Sequence, residues 1–251
     1  MPLIASADSA RVNRRRGQAA DGVTFWHTLY LGTTRYNMAP GTPDPEPGTL
    51  FPMAFLVEQD PGSVAQAHFH QADQFQVVVA GSATLGTHAV APVTVHFAGA
   101  YTAYGPIRAG EAGVHYFTLR NGFDPGARFT QRAENRAALR AVAGRRHREA
   151  VAGPLELTDA AGVVALLPAE PDGLAAWRYR LAAGEMFSGP PPGIGAGQYW
   201  LVLSGSLRRE DADYSALSCA FAYPTDAPFT GRAGPEGLDV IAMQFPRREP
   251  A

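Results

Sequence analysis

From Val23 to about Thr130 the hydrophobic positions come in short runs rather than at helical spacing. VTFWHTLYL, LFPMAFLVE, DQFQVVVAG, VTVHFAG and VHYFTLR are rich in β-branched and aromatic residues and are cut by Gly, Pro or Asn. That pattern predicts strands joined by turns. It resumes at about Leu155 with LELTD, VVALLPAE, WRYRLAAG, QYWLVLSGSLRR and LDVIAMQF. Between the two blocks, residues 133–143 are helix formers and the stretch AGRRHREAVAGP (143–154) is polar and ends in Gly-Pro. A helical linker is expected over 131–153, with Arg145, Arg146, His147 and Arg148 on its solvated face. Residues 1–20 read as a loose arm in which Arg14, Arg15 and Arg16 face water.

The two blocks repeat one another. Asp73–Leu85 (DQFQVVVAGSATL) reads beside 197–208 (GQYWLVLSGSLR), and 108–117 (RAGEAGVHYF) beside 232–241 (RAGPEGLDVI). Both pairs lie 124 residues apart. A shared offset argues for internal duplication, hence two similar all-β barrels or sandwiches, with domains expected at 21–130 and 154–251.

Composition narrows the function classes. Apolar residues make up 46% of the 251, enough for a buried core, and Gly (27) with Pro (21) suits many turns. A net charge of −2 gives no global drive toward nucleic acid. No long apolar run suggests a membrane span. The N-terminal Arg cluster follows the apolar residues, the reverse of a secretory signal. The single cysteine, Cys219, excludes an internal disulfide, so a cytoplasmic location is expected. All 21 basic residues are arginine, which reads as genome composition.

Chemistry concentrates in GSVAQAHFHQADQFQVVVAG (62–81). On a strand, His68 and His70 project to one face because side chains alternate with period two, so two imidazoles could share one ion. A turn at 71–73 then brings Gln74 onto the neighbouring strand. This spacing resembles the first motif of the cupin superfamily: Gly, five residues, His-x-His, three or four residues, Glu, six residues, Gly. Every fixed position matches except Gln74, which stands where Glu is usual. The resemblance implies two tandem cupin (double-stranded β-helix, jelly-roll) barrels and a divalent transition metal (Zn, Ni, Fe or Mn) held by His68, His70, Gln74 and a third histidine.

The third ligand has two readings. His115 fills the slot if the loop is longer than usual; otherwise Tyr104, after the turn at Phe97–Gly99, stands there. Gln74 is also open. As a ligand its neutral amide leaves the ion its full charge, which favours Zn or Ni over redox iron; as a structural residue it hydrogen-bonds inside the barrel, as its counterpart Gln198 must in a half without histidines. Gln74 and Tyr104 are the candidate catalytic residues. The C-terminal half, with three prolines at 190–192, lacks conventional ligands; its Tyr199, Trp200 and Phe229 are core or pocket lining. His27, His88 and His96 read as core or rim residues, and Cys219 as a buried small side chain. The resemblance implies metal-dependent action on a small organic substrate, with dioxygenase or isomerase/lyase-type chemistry; a non-catalytic small-molecule or sugar-binding protein is the alternative. A homodimer is the assembly this reading allows.

Overall fold

A computed structural model describes residues 1–19, 21–46, 48–154 and 161–247. The expected strand at LELTD falls largely on 155–160, outside the described residues. The chain divides into two units, Asn13–Glu156, and Met1–Val12 with Leu157–Ala251.

In the first unit the strands Thr94–Ala98, Gln74–Leu85, Ile107–Arg120, Met53–Gln59 and Thr24–Leu31 pair side by side in that order, all antiparallel. A short strand, His68–Phe69, pairs with Arg128–Phe129 and bridges to Tyr104. In the second unit the order is Cys219–Ala222, Gln198–Arg209, Thr230–Gln244, Ala175–Leu181, Gly162–Leu167. The two orders correspond strand for strand, and the three strands Thr94–Ala98, Gln74–Leu85 and Ile107–Arg120 keep the 124-residue offset in register, while Met53 and Ala175, opposite Arg120 and Gln244, are 122 apart. Gln74 stands opposite Arg120, and Gln198 opposite Gln244. The fold is two tandem all-β barrels.

A pair of glycines explains one fixed position of the motif. Gly81 has φ +70°, and a Cβ there would collide with the carbonyl oxygen of Gly113. Gly205, at φ +69°, would collide in the same way with the carbonyl of Gly237. Only glycine meets both demands at low cost, and both copies keep the arrangement where the ladder shifts register.

Two expectations are corrected. The arm is not loose: Leu3–Ala5 pairs with Cys219–Phe221 in the second unit, and Arg14–Gln18 is an edge strand on Thr24–Leu31 in the first. Arg14 stacks 3.8 Å from the Trp26 ring centroid and makes a bidentate pair with Glu58 at 2.9 and 2.7 Å, while Arg16 pairs with Asp60. Alternate arginines thus lie along one face of an edge strand, a common way to blunt such an edge. The linker is likewise only partly helical. Ala133–Ala141 forms the helix, but Glu149–Ala152 adds a strand to Thr94–Ala98. Arg145, Arg146 and His147 are exposed, whereas Arg148 is half-buried beside the Phe97 ring.

The second barrel is filled by rings. Trp200 stacks on Phe229 at 4.9 Å and 19°, with Tyr179 and Phe187 at 5.3 and 5.4 Å. Trp200 and Ala242 face each other where the first barrel has Gln76 and Thr118. One large ring thus replaces polar groups and closes the interior. Tyr199 and Cys219 are buried in the same unit.

Candidate functional site

The first barrel encloses a cavity of about 130 Å³. Period-two alternation decides what faces it. On Ile107–Arg120 the lining residues are Tyr116, Thr118 and Arg120; on Met53–Gln59 they are Met53, Phe55, Val57 and Gln59. His115, between Val114 and Tyr116, is not among the lining residues; it pairs across the ladder with Glu58, whose carboxylate it helps hold below the usual range after Arg14. The reading of His115 as third ligand is therefore corrected. A ladder shift between His115 and Tyr116 does not bring it inward.

His68 and His70 both line the cavity, their rings T-shaped with centroids 5.1 Å apart, while Phe69 between them is buried on the other side near Tyr101. Each imidazole has its Nδ1 committed. His68 Nδ1–H donates to the Gln66 carbonyl at 2.6 Å, and His70 Nδ1–H to Asp124 Oδ1 at 2.8 Å. Both therefore present Nε2 as an acceptor. Burial pushes His68 down to about 3, with neighbouring His70 adding to the effect; burial and then Arg120 also depress His70, against the pull of Asp124. Both rings are neutral at neutral pH.

The remaining contacts form a directed chain. Arg120 Nε and Nη2 donate to Gln74 Oε1 at 3.1 and 3.0 Å. Gln74 Nε2 donates to the Tyr104 hydroxyl, which stands 3.0 Å from His68 Nε2 and donates to it. Arg120 Nη2 also lies 3.1 Å from both ring nitrogens of His70, which places it against the face of the ring rather than in line with either nitrogen's lone pair. Asp124 closes the charge: its carboxylate takes His70, the backbone N–H of Gln71 at 2.7 Å and of Gly126 at 2.8 Å, and lies 3.4 Å from Arg120 Nη1. Burial pushes this carboxyl up, but His70 and Arg120 outweigh it and hold it below its ordinary value. Burial raises the Tyr104 phenol, which stays protonated.

Tyr104, not His115, thus meets His68 and Gln74. Arg120 and Asp124 were missed. The signal for Arg120 was present: it sits in alternation with Tyr116 and Thr118 and is the repeat counterpart of Gln244. Asp124, in NGFDPG, looks in sequence like an ordinary turn residue. His96 is buried, with Nδ1 2.8 Å from Gln76 Oε1 and Nε2 3.1 Å from Glu149 Oε1; His88 is exposed.

A divalent ion does not fit this donor set as arranged. The lone pairs of His68 Nε2 and Gln74 Oε1 are met by Tyr104 and Arg120, and the Arg120 guanidinium lies against the His70 ring. Among the described residues no three His, Cys, Asp or Glu side chains are grouped to hold a metal. Two unit charges 4 Å apart repel by about 4 kcal/mol at an effective dielectric of 20, and a divalent ion beside a guanidinium doubles this. Asp124 offsets part of it, but its oxygens are already engaged by His70 and two backbone N–H groups.

Three further polar atoms stand out. His27 Nε2, Thr34 Oγ1 and Gln59 Oε1 are buried without a hydrogen-bond partner among the described residues, and all three residues line the cavity. The His27 ring packs against Phe55 at 4.7 Å, and burial, then Arg120, pushes it down to about 4.

No family model and no curated protein matches the sequence. Solved structures do. A proposed dioxygenase from Nostoc punctiforme aligns with a TM-score of 0.63 at 12% identity, over 97% of this chain and 82% of the other. The pirin of Escherichia coli, solved in complex with nickel(II), aligns at 0.59 and 11% over 99% and 100%. Oxalate decarboxylase of Lactobacillus farciminis, solved as a formate complex, aligns at 0.59 and 13% over 97% and 86%. What the chain shares with these proteins is the fold alone, an antiparallel all-β jelly roll of the cupin type.

Proposed function

We propose that the first barrel binds a small, neutral organic molecule with an apolar body of about one ring and a hydroxyl or carbonyl group. The observation that carries this is the cavity itself, about 130 Å³ in volume, with walls that are largely apolar and a few polar side chains, His27 and Thr34 among them. The volume is close to that of an engineered cavity of roughly 150 Å³ that accepts benzene. Phe25, Met53, Phe55, Val57, Tyr116 and Phe129 supply walls too apolar for the hydroxyl-rich faces of a sugar. Arg120 is balanced by Asp124 and the histidines are neutral, which favours an uncharged ligand. Dioxygenase or isomerase/lyase-type chemistry would need an ion at His68 and His70; among the earlier alternatives the geometry therefore favours small-molecule binding.

Calorimetric titration with phenol, toluene and glucose tests this. Phenol should bind saturably, toluene more weakly and glucose not at all. Thr34→Val with His27→Leu should weaken phenol by about five- to tenfold, the worth of one hydrogen bond, and leave toluene unchanged. Glucose binding as well as phenol, or no ring compound binding, would contradict the reading.

A further inference from the structure

We propose that Arg120 is the resident cation of the first barrel, taking the place that the motif around His68 and His70 prepares for a metal ion. Three independent observations converge on it. The guanidinium reaches Gln74, His70 and Asp124 at 3.0–3.4 Å, so it touches the groups that would surround an ion. The equivalent residue of the second barrel, Gln244, stands in the same register but is neutral. There the pair closes on itself, Gln198 Nε2 donating to Gln244 Oε1, and the two amides are completed by the Pro190 and Pro192 carbonyls. The third is the departure at position 74. A glutamine accepts from Arg120 through its oxygen and donates to Tyr104 through its nitrogen. A carboxylate could only accept; Tyr104 would turn its proton toward it, and His68 Nε2 would lose its donor. Gln74, Tyr104 and Arg120 are therefore a matched set, and the amide at position 74 belongs with the arginine at 120.

The inference does not depend on which organic molecule the cavity takes, and its test reads metal alone. Protein stripped with chelator is dialysed against Co²⁺, whose visible d–d bands report imidazole ligation, and bound cobalt is counted. The parent should retain no equivalent that His68→Ala with His70→Ala removes. Gln74→Glu with Arg120→Gln should take up about one equivalent with imidazole-type bands, and lose it when the two histidines are also replaced. Arg120→Gln introduces the side chain already present at the matching site of the second barrel, and its fold is checked by circular dichroism. A parent that binds one histidine-dependent equivalent overturns the proposal. So does a folded double variant that binds none, since Arg120 would then not be what keeps the ion out. Should the double variant not fold, the comparison of parent with the histidine variant still decides.

Discussion

At the residue scale the interior of the first barrel is organised around one buried ion pair, Arg120 with Asp124. Asp124 is fully buried and faces Arg120, His70 and two backbone N–H groups. Asp124→Asn leaves Arg120 uncompensated and should cost about 3–5 kcal/mol in urea unfolding. Adding Arg120→Gln removes the orphaned charge and should restore part of it. The buried histidines give a pH signature with a definite sign. His68 and His27 are depressed from about 6.5 to about 3 and 4, so between those values the unfolded chain binds protons that the folded chain does not. Stability should be full above pH 7 and fall as pH drops toward 4, by up to several kcal/mol. Urea midpoints from pH 8 to 4 check this, and His27→Phe should flatten the slope. The pair His68 and His70 was legible because strand periodicity alone puts both on one face. Arg120 was legible only through its alternation with Tyr116 and Thr118 and its place opposite Gln244 in the repeat, because an arginine at a strand end otherwise reads as a solvated tip.

At the element scale the sequence read well where alternation was long and poorly at edges. The central strands Gln74–Leu85 and Ile107–Arg120 were legible from their apolar runs. Arg14–Gln18 and Glu149–Ala152 were not, because an edge strand needs only one ladder and can carry charges that look like linker composition. Each is held by contacts distant in sequence: Arg14 by Trp26 and Glu58, and Glu149 by His96. The motif glycine was legible as a position, but its reason is the approach of a second strand. Gly81→Ala should cost at least about 2 kcal/mol, from positive φ and the collision with Gly113. Gly205→Ala should cost a similar amount in the second barrel. Thermal unfolding of both variants checks the equivalence, and a large effect at one site only would break it.

At the scale of the whole molecule, duplication was legible from two segment pairs sharing an offset, and strand order and register extend it across both units. The divergence between the copies lies in a few interior positions. Gln76 and Thr118 become Trp200 and Ala242, and the room lost to the indole ring separates a barrel with a cavity from a filled one. The N-terminal strand belongs to the second unit, so deleting residues 1–12 should reduce amide protection at Cys219–Phe221 while leaving Gln74–Val78 protected; hydrogen exchange reads both segments at once.

The central claim is that His68 and His70 belong to a closed, arginine-centred network rather than a metal centre. Nitrogen-15 spectra of the histidine side chains, recorded from pH 8 to 5 and again after adding Zn²⁺, address it most directly. Both rings should be neutral at pH 8 with the proton on Nδ1, His68 should not titrate across this range, and both should keep their Nε2 shifts when zinc is present. Titration of His68 near 6.5, or a shift of both Nε2 resonances on adding one equivalent of zinc, would contradict it.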